Sequence, residues 1–273
     1  MIGRSAGEET SRASVWTKAL YSKTKDSSHG NYKIYGKGGI LGVQTKATDK
    51  LTLGMGYAYS SADIKQMGRK TTIDNNTIFG YLKYQPSRWF VDGFLSYSHG
   101  DYEEEKFVLS SYGTADYQVN VLAVQSLIGY DYKYKCLLFT PKTGFRYMKI
   151  KQEGYTDSFG TKVHSASSDY LTWMMGLDAQ NSYKTIKGVK IRPTAGILFG
   201  YDLKTEDIKG VNILSNGASY VVDGKALPRF STNVKLGIET RLNEKTSLKL
   251  EYLGSFRNSY QDHGGMLRLK YNF

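Results

Sequence analysis

Large and small residues alternate strictly along residues 51–60. Leu51, Leu53, Met55, Tyr57 and Tyr59 are large, and every residue between them is small. Successive side chains of a β-strand point to opposite faces, so this pattern predicts a strand with one apolar face. Similar alternation recurs in twelve segments, many longer than strands of soluble proteins usually are. They cover approximately residues 14–23, 33–45, 51–61, 74–85, 88–99, 117–132, 136–151, 167–184, 188–202, 230–242, 247–258 and 263–273.

The last segment keeps this alternation up to its final aromatic residue. Gly265, Leu267, Leu269, Tyr271 and Phe273 share one face, and Met266, Arg268, Lys270 and Asn272 share the other. A soluble domain rarely stops in mid-strand on its most apolar residue, whereas the last strand of a closed membrane barrel needs an outer face that is apolar to its tip. The segment therefore favours a membrane barrel.

Charged residues concentrate on the face opposite the large apolar ones. In residues 188–202, for example, Arg192 lies on the face opposite Pro193 and Ala195. If the apolar faces contact lipid, the charges line a common interior, where they either neutralise one another as ion pairs or form a conduction path. The charges expected in the lumen are Lys18, Asp92, Arg146, Asp178, Arg192, Lys235, Glu239, Arg241, Glu251 and Arg268.

The connections between the segments alternate in length. Tight connections are expected at residues 46–50, 85–87, 133–135, 183–187 and 243–246, and long ones at 24–32, 62–73, 100–116, 152–166 and 203–229, with a short one again near 259–262. Outer-membrane barrels have short turns in the periplasm and long loops outside, and an even strand count puts both termini in the periplasm. The prediction is an all-β protein, a twelve-stranded antiparallel transmembrane β-barrel.

A barrel in lipid must close, because an open sheet edge would leave backbone groups unpaired. The last segment should therefore pair with the first, near Trp16. Pro141 and Pro193 lack a donor N–H inside apparent strands, so each needs a bulge or an unpaired position. Aromatic rings near segment ends suit the lipid headgroup region. They are Tyr57, Tyr59, Tyr84, Trp89, Tyr97, Tyr130, Tyr132, Trp173, Tyr201 and Tyr271.

Composition agrees with one large β domain. The 273 residues include 23 Tyr, 29 Gly and 11 Phe but only 4 Pro, and aromatic residues favour strands. The net charge of +12 is spread over nearly every strand and turn, so no nucleic-acid partner is expected. No stretch reaches roughly 18 uninterrupted apolar residues, and the N-terminus has no apolar signal segment, so an exported protein would begin upstream.

The sequence gives little support for catalysis or metal binding. Cys136 is a single cysteine, and His29, His99, His164 and His263 lack the spacing of metal ligands, so neither a metal nor a cofactor is expected. Outer-membrane phospholipases and omptin proteases are barrels of related size, and they are the enzymatic alternatives. Their chemistry would need a His–Ser or His–Asp pair on the barrel. His164–Ser165 lies in a predicted loop, and His99 near Asp101 is a weak match.

An acidic run in the predicted loop after the fifth segment allows two interpretations. Glu103, Glu104 and Glu105 precede Lys106. Carboxylates in a loop bind calcium or a partner when they converge, but a solvated loop tip explains the same composition. We expect no enzymatic activity, and a stand-alone pore or channel remains the other alternative.

Several short stretches together resemble the C-terminal β-barrel, or translocator, domain of bacterial autotransporters, the type V secretion system. The resemblance covers about residues 14–273, with residues 1–13 as the end of a linker. It is carried by residues 15–18, 39–44, 51–57, 89–93, 140–147 and 192–196, by Tyr201–Asp202 and by the ending at Phe273. Their order and spacing, rather than any one stretch, are typical of the family.

The resemblance implies both a function and partners. Members of the family export their own N-terminal passenger to the cell surface, with a linker helix threading the lumen. The barrel assembly machinery, which reads the last strand, inserts them with the help of periplasmic chaperones into a membrane of lipid and lipopolysaccharide. A monomer is expected. By this resemblance, Gly265, Leu267, Leu269, Tyr271 and Phe273 would form the insertion signal, and residues 1–13 would lead into the lumen.

Overall fold

A computed structural model of the chain describes residues 12–27, 31–108, 111–184, 189–205, 208–213, 219–224 and 228–273. Over these residues the chain forms twelve long strands and six short ones. The long strands are β1 (Ala13–Asp26), β2 (Tyr32–Lys46), β3 (Leu51–Gln66), β4 (Arg69–Tyr84), β5 (Trp89–Val108), β6 (Ser111–Tyr130), β8 (Leu137–Gln152), β11 (Ala166–Asn181), β13 (Lys190–Thr205), β16 (Phe230–Arg241), β17 (Thr246–Arg257) and β18 (Tyr260–Asn272). The short strands are β7 (Tyr132–Tyr134), β9 (Tyr155–Thr156), β10 (Lys162–Val163), β12 (Tyr183–Lys184), β14 (Ile208–Ile213) and β15 (Ser219–Gly224).

The twelve long strands close into an antiparallel barrel. Each pairs with its neighbours in chain order, and β18 pairs with β1 from Ser14↔Asn272 to Asp26↔Tyr260. This confirms the predicted twelve-stranded barrel, whose last strand meets the strand of Trp16. Closure leaves no sheet edge in the lipid, where an unpaired backbone group costs several kcal/mol. In the described part of the chain, no helix is long and apolar enough to span a membrane.

The outer face of the barrel is the apolar one. Met55, Leu41 and Leu250 are all more than half exposed, and glycine, polar and charged residues alternate with such residues on the inner face. All ten aromatic residues expected near the lipid headgroups lie on the outer face, between 39% and 53% exposed. An apolar exterior with a polar interior is the arrangement that a bilayer requires.

The two rims of the barrel differ. At the turn rim, short connections such as residues 47–50 and 242–245 join the strands, and β1 begins where β18 ends. At the opposite loop rim, residues 153–165 and 206–229 form long connections that carry the short strands β9, β10, β14 and β15. These four pair as a separate sheet in the order β15-β14-β10-β9.

Three connections expected to be long are shortened by strand extension. β3 and β4 continue to Gln66 and Arg69, so only Met67 and Gly68 remain between them. Gly68 has φ 70°, a left-handed conformation that glycine adopts without strain. β5 and β6 likewise reach Val108 and Ser111, and β1 reaches Asp26. The sequence prediction failed here because these extensions carry polar and charged side chains on both faces, which strands beyond the bilayer can do, so the alternation of apolar and polar residues is lost.

The acidic run and the His99–Asp101 pair therefore belong to a strand, not to a loop. Glu103 through Lys106 are part of β5. Glu104 is buried on the inner face, and its Oε1 lies 3.4 Å from Arg69 Nε. Successive residues of a strand face opposite sides, so Glu104 points inward while Glu103 and Glu105 point outward, and the run belongs to the barrel wall and not to a loop tip.

Both strand prolines lie beside interruptions of the ladder. The pairing of β8 with β6 ends at Lys142 and resumes with β7 at Phe139, so Pro141 falls in the gap. The pairing of β13 with β11 ends at Thr194 and resumes with β12 at Ile191, which leaves Pro193 in a second gap. These gaps are the unpaired positions that the missing N–H groups require.

Candidate functional site: the barrel lumen

A polar cavity lies inside the barrel near the turn rim. Its volume is ≈ 490 Å³, and charged side chains from seven strands line it. These residues are Lys46 on β2, Lys83 on β4, Asp92 on β5, Asp178 on β11, Lys235 on β16, Lys249 on β17 and Arg268 on β18. Because the strands alternate lipid-facing and lumen-facing residues, each contributes its small or charged set to this space.

The ten charges expected in the lumen all lie on the inner face of the wall. Lys235, Glu239, Glu251 and Arg268 are buried, and the other six are partly covered. Arg241 lies at the turn rim, level with Ser247. Closure of the barrel brings together residues as distant in sequence as Lys18 and Arg268, which are directly paired across the seam.

Asp178 holds two lysines from other strands of the wall. Its Oδ2 accepts hydrogen bonds from Lys142 Nζ at 2.7 Å and Lys235 Nζ at 3.4 Å. The carboxylate thus links β8, β11 and β16 across the inner wall. Charge-assisted hydrogen bonds of this kind fix side chains more firmly than neutral ones.

A second group of ion pairs continues around the wall. Arg268 Nη2 donates to Glu239 Oε1 at 3.1 Å, and Arg192 Nη1 lies 3.9 Å from the other oxygen of Glu239. Lys249 Nζ lies 2.6 Å from Glu251 Oε1, and their side chains are 1% and 2% exposed. These partners replace the water that the buried charges lose.

Three buried lysines extend the predicted set. Lys142, Lys249 and Lys270 lie on the inner face, and the side chain of Lys270 is almost fully buried. Each lies an even number of residues from a predicted lumen residue on the same strand, as Lys270 does from Arg268. The alternation rule alone therefore assigns all three to the inner face. Among the described residues at this level, basic side chains outnumber acidic ones.

Nearer the loop rim, Asp202 joins three strands. Thr172 Oγ1 donates to it at 2.6 Å, and Arg257 Nη1 donates at 2.6 Å to its other oxygen. Arg257 also donates to the carbonyl of Pro228 at 2.7 Å. The start of β16 is thereby tied to the inner wall.

Large aromatic rings fill part of the interior on the β1–β5 side. Trp16 Nε1 donates to Tyr81 Oη at 3.2 Å, and the Trp16 ring packs 6.1 Å from Phe79. Glycines make room for them. A Cβ at Gly42 would lie 2.3 Å from Trp16, and one at Gly54 would lie 2.2 Å from Tyr81. Only a residue without a side chain fits at such close approach.

The connection of residues 153–165 is fastened to the β5–β6 extension. Lys106 Nζ donates to Asp157 Oδ2 at 2.6 Å, and the N–H groups of Phe159 and Thr161 donate to Oδ1 at 3.0 and 2.8 Å. Burial alone would raise the pKa of Asp157, but these hydrogen bonds and the Lys106 charge hold that pKa below its usual range. Tyr155 stacks on Tyr117 at 4.8 Å on the same inner face. The connection is therefore held over the mouth at the loop rim.

The residues considered for catalysis lie at two separate places toward the loop rim. His164 and Ser165 lie in the connection at the loop rim, and His99 Nε2 lies 3.6 Å from Asp101 Oδ1 on the β5 strand. In the described ranges, no group of three or more His, Cys, Asp or Glu side chains converges in a way that could hold a metal. His29 and residues 1–11 lie outside the described residues.

The outer face of β18 carries the predicted insertion signal. Leu267, Leu269, Tyr271 and Phe273 are between 39% and 68% exposed, and Gly265 lies on the same face. The Tyr271 and Phe273 rings meet edge to face at 5.3 Å. These residues form an apolar stripe along the closing strand.

A closed barrel with an apolar exterior, an aromatic girdle and a charged lumen belongs to the class of outer-membrane proteins. Residues 15–253 match the sequence model of the family described as "Autotransporter beta-domain". The chain belongs to the autotransporter beta-domain family, the outer-membrane translocator part of proteins that carry a passenger on its N-terminal side.

Relatives and solved structures agree with this assignment. Outer membrane protein B of Rickettsia typhi is 24% identical over 290 residues, which cover 95% of this chain and 17% of that protein. The chain thus spans about a sixth of such relatives. The translocator domain of NalP from Neisseria meningitidis superposes with a TM-score of 0.79 at 15% identity, covering 97% of this chain and 90% of that one. The beta domain of Bordetella BrkA gives 0.71 at 14% identity, with 96% and 100% covered.

Proposed function

We propose that the barrel carries a passenger segment, joined ahead of Met1, through the outer membrane to the cell surface. One observation supports this most directly: β1 begins on the turn rim, next to the opening of the charged cavity. A chain that enters β1 from this side must pass the lumen mouth. The residues ahead of β1 would then be the end of the linker that occupies the lumen.

The charged wall suits the passage of a polar, unfolded segment. Asp178, Glu239 and Glu251 hold the neighbouring basic groups in place. The wall therefore presents fixed charges, and not an apolar surface to which a passing segment would bind. An extended polypeptide needs water and hydrogen-bond partners for its backbone, which an apolar pore would deny it. The lumen provides both.

The same proposal fixes the orientation and the assembly partners. Both ends of the barrel wall lie at the turn rim, which we place in the periplasm, and the loop rim faces outward. The apolar stripe of Gly265, Leu267, Leu269, Tyr271 and Phe273 would be the strand that the barrel assembly machinery recognises, after delivery by periplasmic chaperones. Because the family assignment accounts for the barrel as an export domain, we propose that it has no enzymatic activity of its own.

Surface display of a reporter tests the function. The chain is expressed behind a signal peptide and an epitope-tagged passenger, and intact cells are treated with an external protease. We expect the tag to be cleaved, whereas the same passenger without the barrel stays protected in the periplasm. A barrel that is folded in the outer membrane while its passenger remains protected would refute the proposal and favour a stand-alone pore.

A further inference from the structure

Four lysines form a row across four adjacent strands on the outer face near the loop rim. In register, Lys25 of β1 lies opposite Lys33 of β2, Lys33 lies opposite Lys65 of β3, and Lys65 lies opposite Lys70 of β4. All four side chains are exposed. We call these four residues the lysine row.

The lysine row is electrostatically unfavourable by itself. Side chains directly opposite one another on antiparallel strands have Cβ atoms about 5 Å apart, and like charges in such pairs destabilise a sheet. None of the four makes an ion pair with a described residue. Glu105 faces Lys70 at one end of the row, and Gln261 faces Lys25 at the other. A row of this kind is stabilised by an external anion.

Two further lysines, Lys23 and Lys37, lie between the row and the apolar band. The Tyr35 ring lies between Lys23 and Lys65 of the row, whose Nζ atoms are 5.6 and 6.0 Å from the ring centre. Lys37 lies opposite Ser61, two register positions above the Gly39↔Tyr59 pair. The positive charge therefore begins where the girdle ends and continues outward.

The lysines begin at the level of the lipid headgroups, and the row lies farther out. Lys65 is six residues beyond the girdle residue Tyr59, or ~20 Å along the strand at about 3.3 Å per residue. Strands tilted by about 40° convert this into ~15 Å above the girdle. Lys37 and Lys23 are nearer, and lysine stems can lie along the surface while their amines reach for charge.

Acidic residues border the row. On β4 and β5 the outer face carries Asp74, Glu103 and Glu105, and Asp74 already accepts a hydrogen bond from Tyr59 at 2.6 Å. Lys149 and Lys151 are also exposed on the outer face of β8, but Lys151 lies 2.9 Å from Glu153. The lysine row differs in having four directly opposed lysines, none of which makes an ion pair with a described residue.

We infer that the lysine row, with Lys23 and Lys37, binds the phosphate groups of a phosphorylated lipid in the leaflet on the loop side. Lysine binds phosphate as a point charge, and several lysines around one headgroup act together. This inference rests on the proposed orientation, in which that leaflet is the outer one and contains lipopolysaccharide. It adds a lipid site on the outer wall to the proposed export through the lumen.

The test measures binding of lipopolysaccharide to the folded 273-residue chain in detergent, by native mass spectrometry. The variant is K25Q/K33Q/K65Q/K70Q. Its matched control, K133Q/K184Q/K190Q/K245Q, removes the same charge from exposed lysines at the turn rim. We expect the row variant to bind at least about tenfold more weakly and the control to bind like the wild type. Similar binding by both variants would overturn the inference.

Two further arms identify the bound group. Dephosphorylated lipopolysaccharide should bind wild type as weakly as the row variant binds the intact lipid, and millimolar inorganic phosphate should not displace the lipid. Undiminished binding of the dephosphorylated lipid, or displacement by phosphate, would reject a lipid-phosphate site. Folding is checked by heat-modifiable migration, and wild type should also gain thermal stability from the lipid, with the gain lost in high salt. Passenger display in cells is a separate readout, so either proposal can fail alone.

Discussion

The backbone N–H of Phe273 donates a hydrogen bond to the carbonyl oxygen of Ala13 at 3.1 Å. On the other side of the same strand, the N–H of Lys46 donates to Arg12 at 2.7 Å. The first strand is therefore paired on both sides up to the turn rim. The barrel wall has no open seam at the position where β1 begins.

Phe273→Ala separates a recognition role from a structural one. The ring is 68% exposed and contacts Tyr271, so its removal should lower the free energy of unfolding by less than about 1.5 kcal/mol. If the residue belongs to the insertion signal, the amount of barrel assembled in the outer membrane should nevertheless fall severalfold. Phe230→Ala is the control, because that ring is also exposed and stacks on Phe199 at 5.9 Å. If both variants assemble in equal amounts, Phe273 is not part of the insertion signal.

Glu251→Gln should destabilise the barrel strongly. The carboxylate is buried with Lys249 at 2.6 Å, so neutralising it leaves a buried ammonium group without its counter-charge. The expected loss is about 3–5 kcal/mol in urea unfolding of the barrel in vesicles. Glu153→Gln breaks the exposed pair with Lys151, whose side chains are 39% and 52% exposed, and should cost less than about 1 kcal/mol. Similar losses would mean that water screens the lumen pair.

Gly54→Val tests the packing of the interior rings. Its Cβ would meet the Tyr81 ring, so we expect a loss of about 1–3 kcal/mol from overpacking. Gly39→Val is the control, because its Cβ would find no atom closer than 3.9 Å. In a Tyr81→Ala background, the cost of Gly54→Val should largely disappear. A cost that persists there would place the strain in the backbone instead.

Asp157 should make the connection of residues 153–165 sensitive to acid. Its pKa is lowered in the folded protein, so its stabilising contribution is complete above the unfolded value of about 3.9 and is lost as the pH falls through the lower folded value. Hydrogen exchange of the Phe159 and Thr161 amides should therefore stay slow at neutral pH and accelerate, relative to intrinsic exchange, only in strong acid.

Asp157→Asn provides the comparison. The variant should show faster exchange of both amides at neutral pH and no further loss of protection in acid. Asp101→Asn, at an exposed carboxylate of β5, should leave both amides unchanged. Wild-type protection that is constant down to pH 2 would show that Lys106 and the backbone hold the connection without the Asp157 charge.

Alternation predicted the membrane-spanning part of the fold well, because lipid and lumen impose opposite demands on neighbouring residues. Leu53 and Met55 face outward and Gly54 faces inward, as expected. The same signal fails beyond the bilayer. Residues 62–66 and 100–108 carry polar or charged side chains on both faces, yet the backbone ladder continues through them.

The details of the lumen were only partly visible in the sequence. Parity assigns Lys249 and Glu251 to one face, but only the closed barrel shows that they pair with each other. Trp16 and Phe90 point inward and are buried, although large rings in a membrane barrel are expected to face lipid. Their place depends on glycines of neighbouring strands, Gly42 and Gly129, which become neighbours only through the strand register.

The uneven height of the strands gives the exit a direction. β5 continues from the girdle residue Tyr97 to Phe107, roughly 33 Å along the strand. β17, in contrast, ends at Arg257, five residues beyond Tyr252, an exposed aromatic residue of its outer face. The barrel wall at the loop rim is therefore higher at β5–β6 than at β17–β18. If a passenger leaves the lumen here, the higher wall would direct it toward the β17–β18 side, so that it emerges tilted and not along the membrane normal.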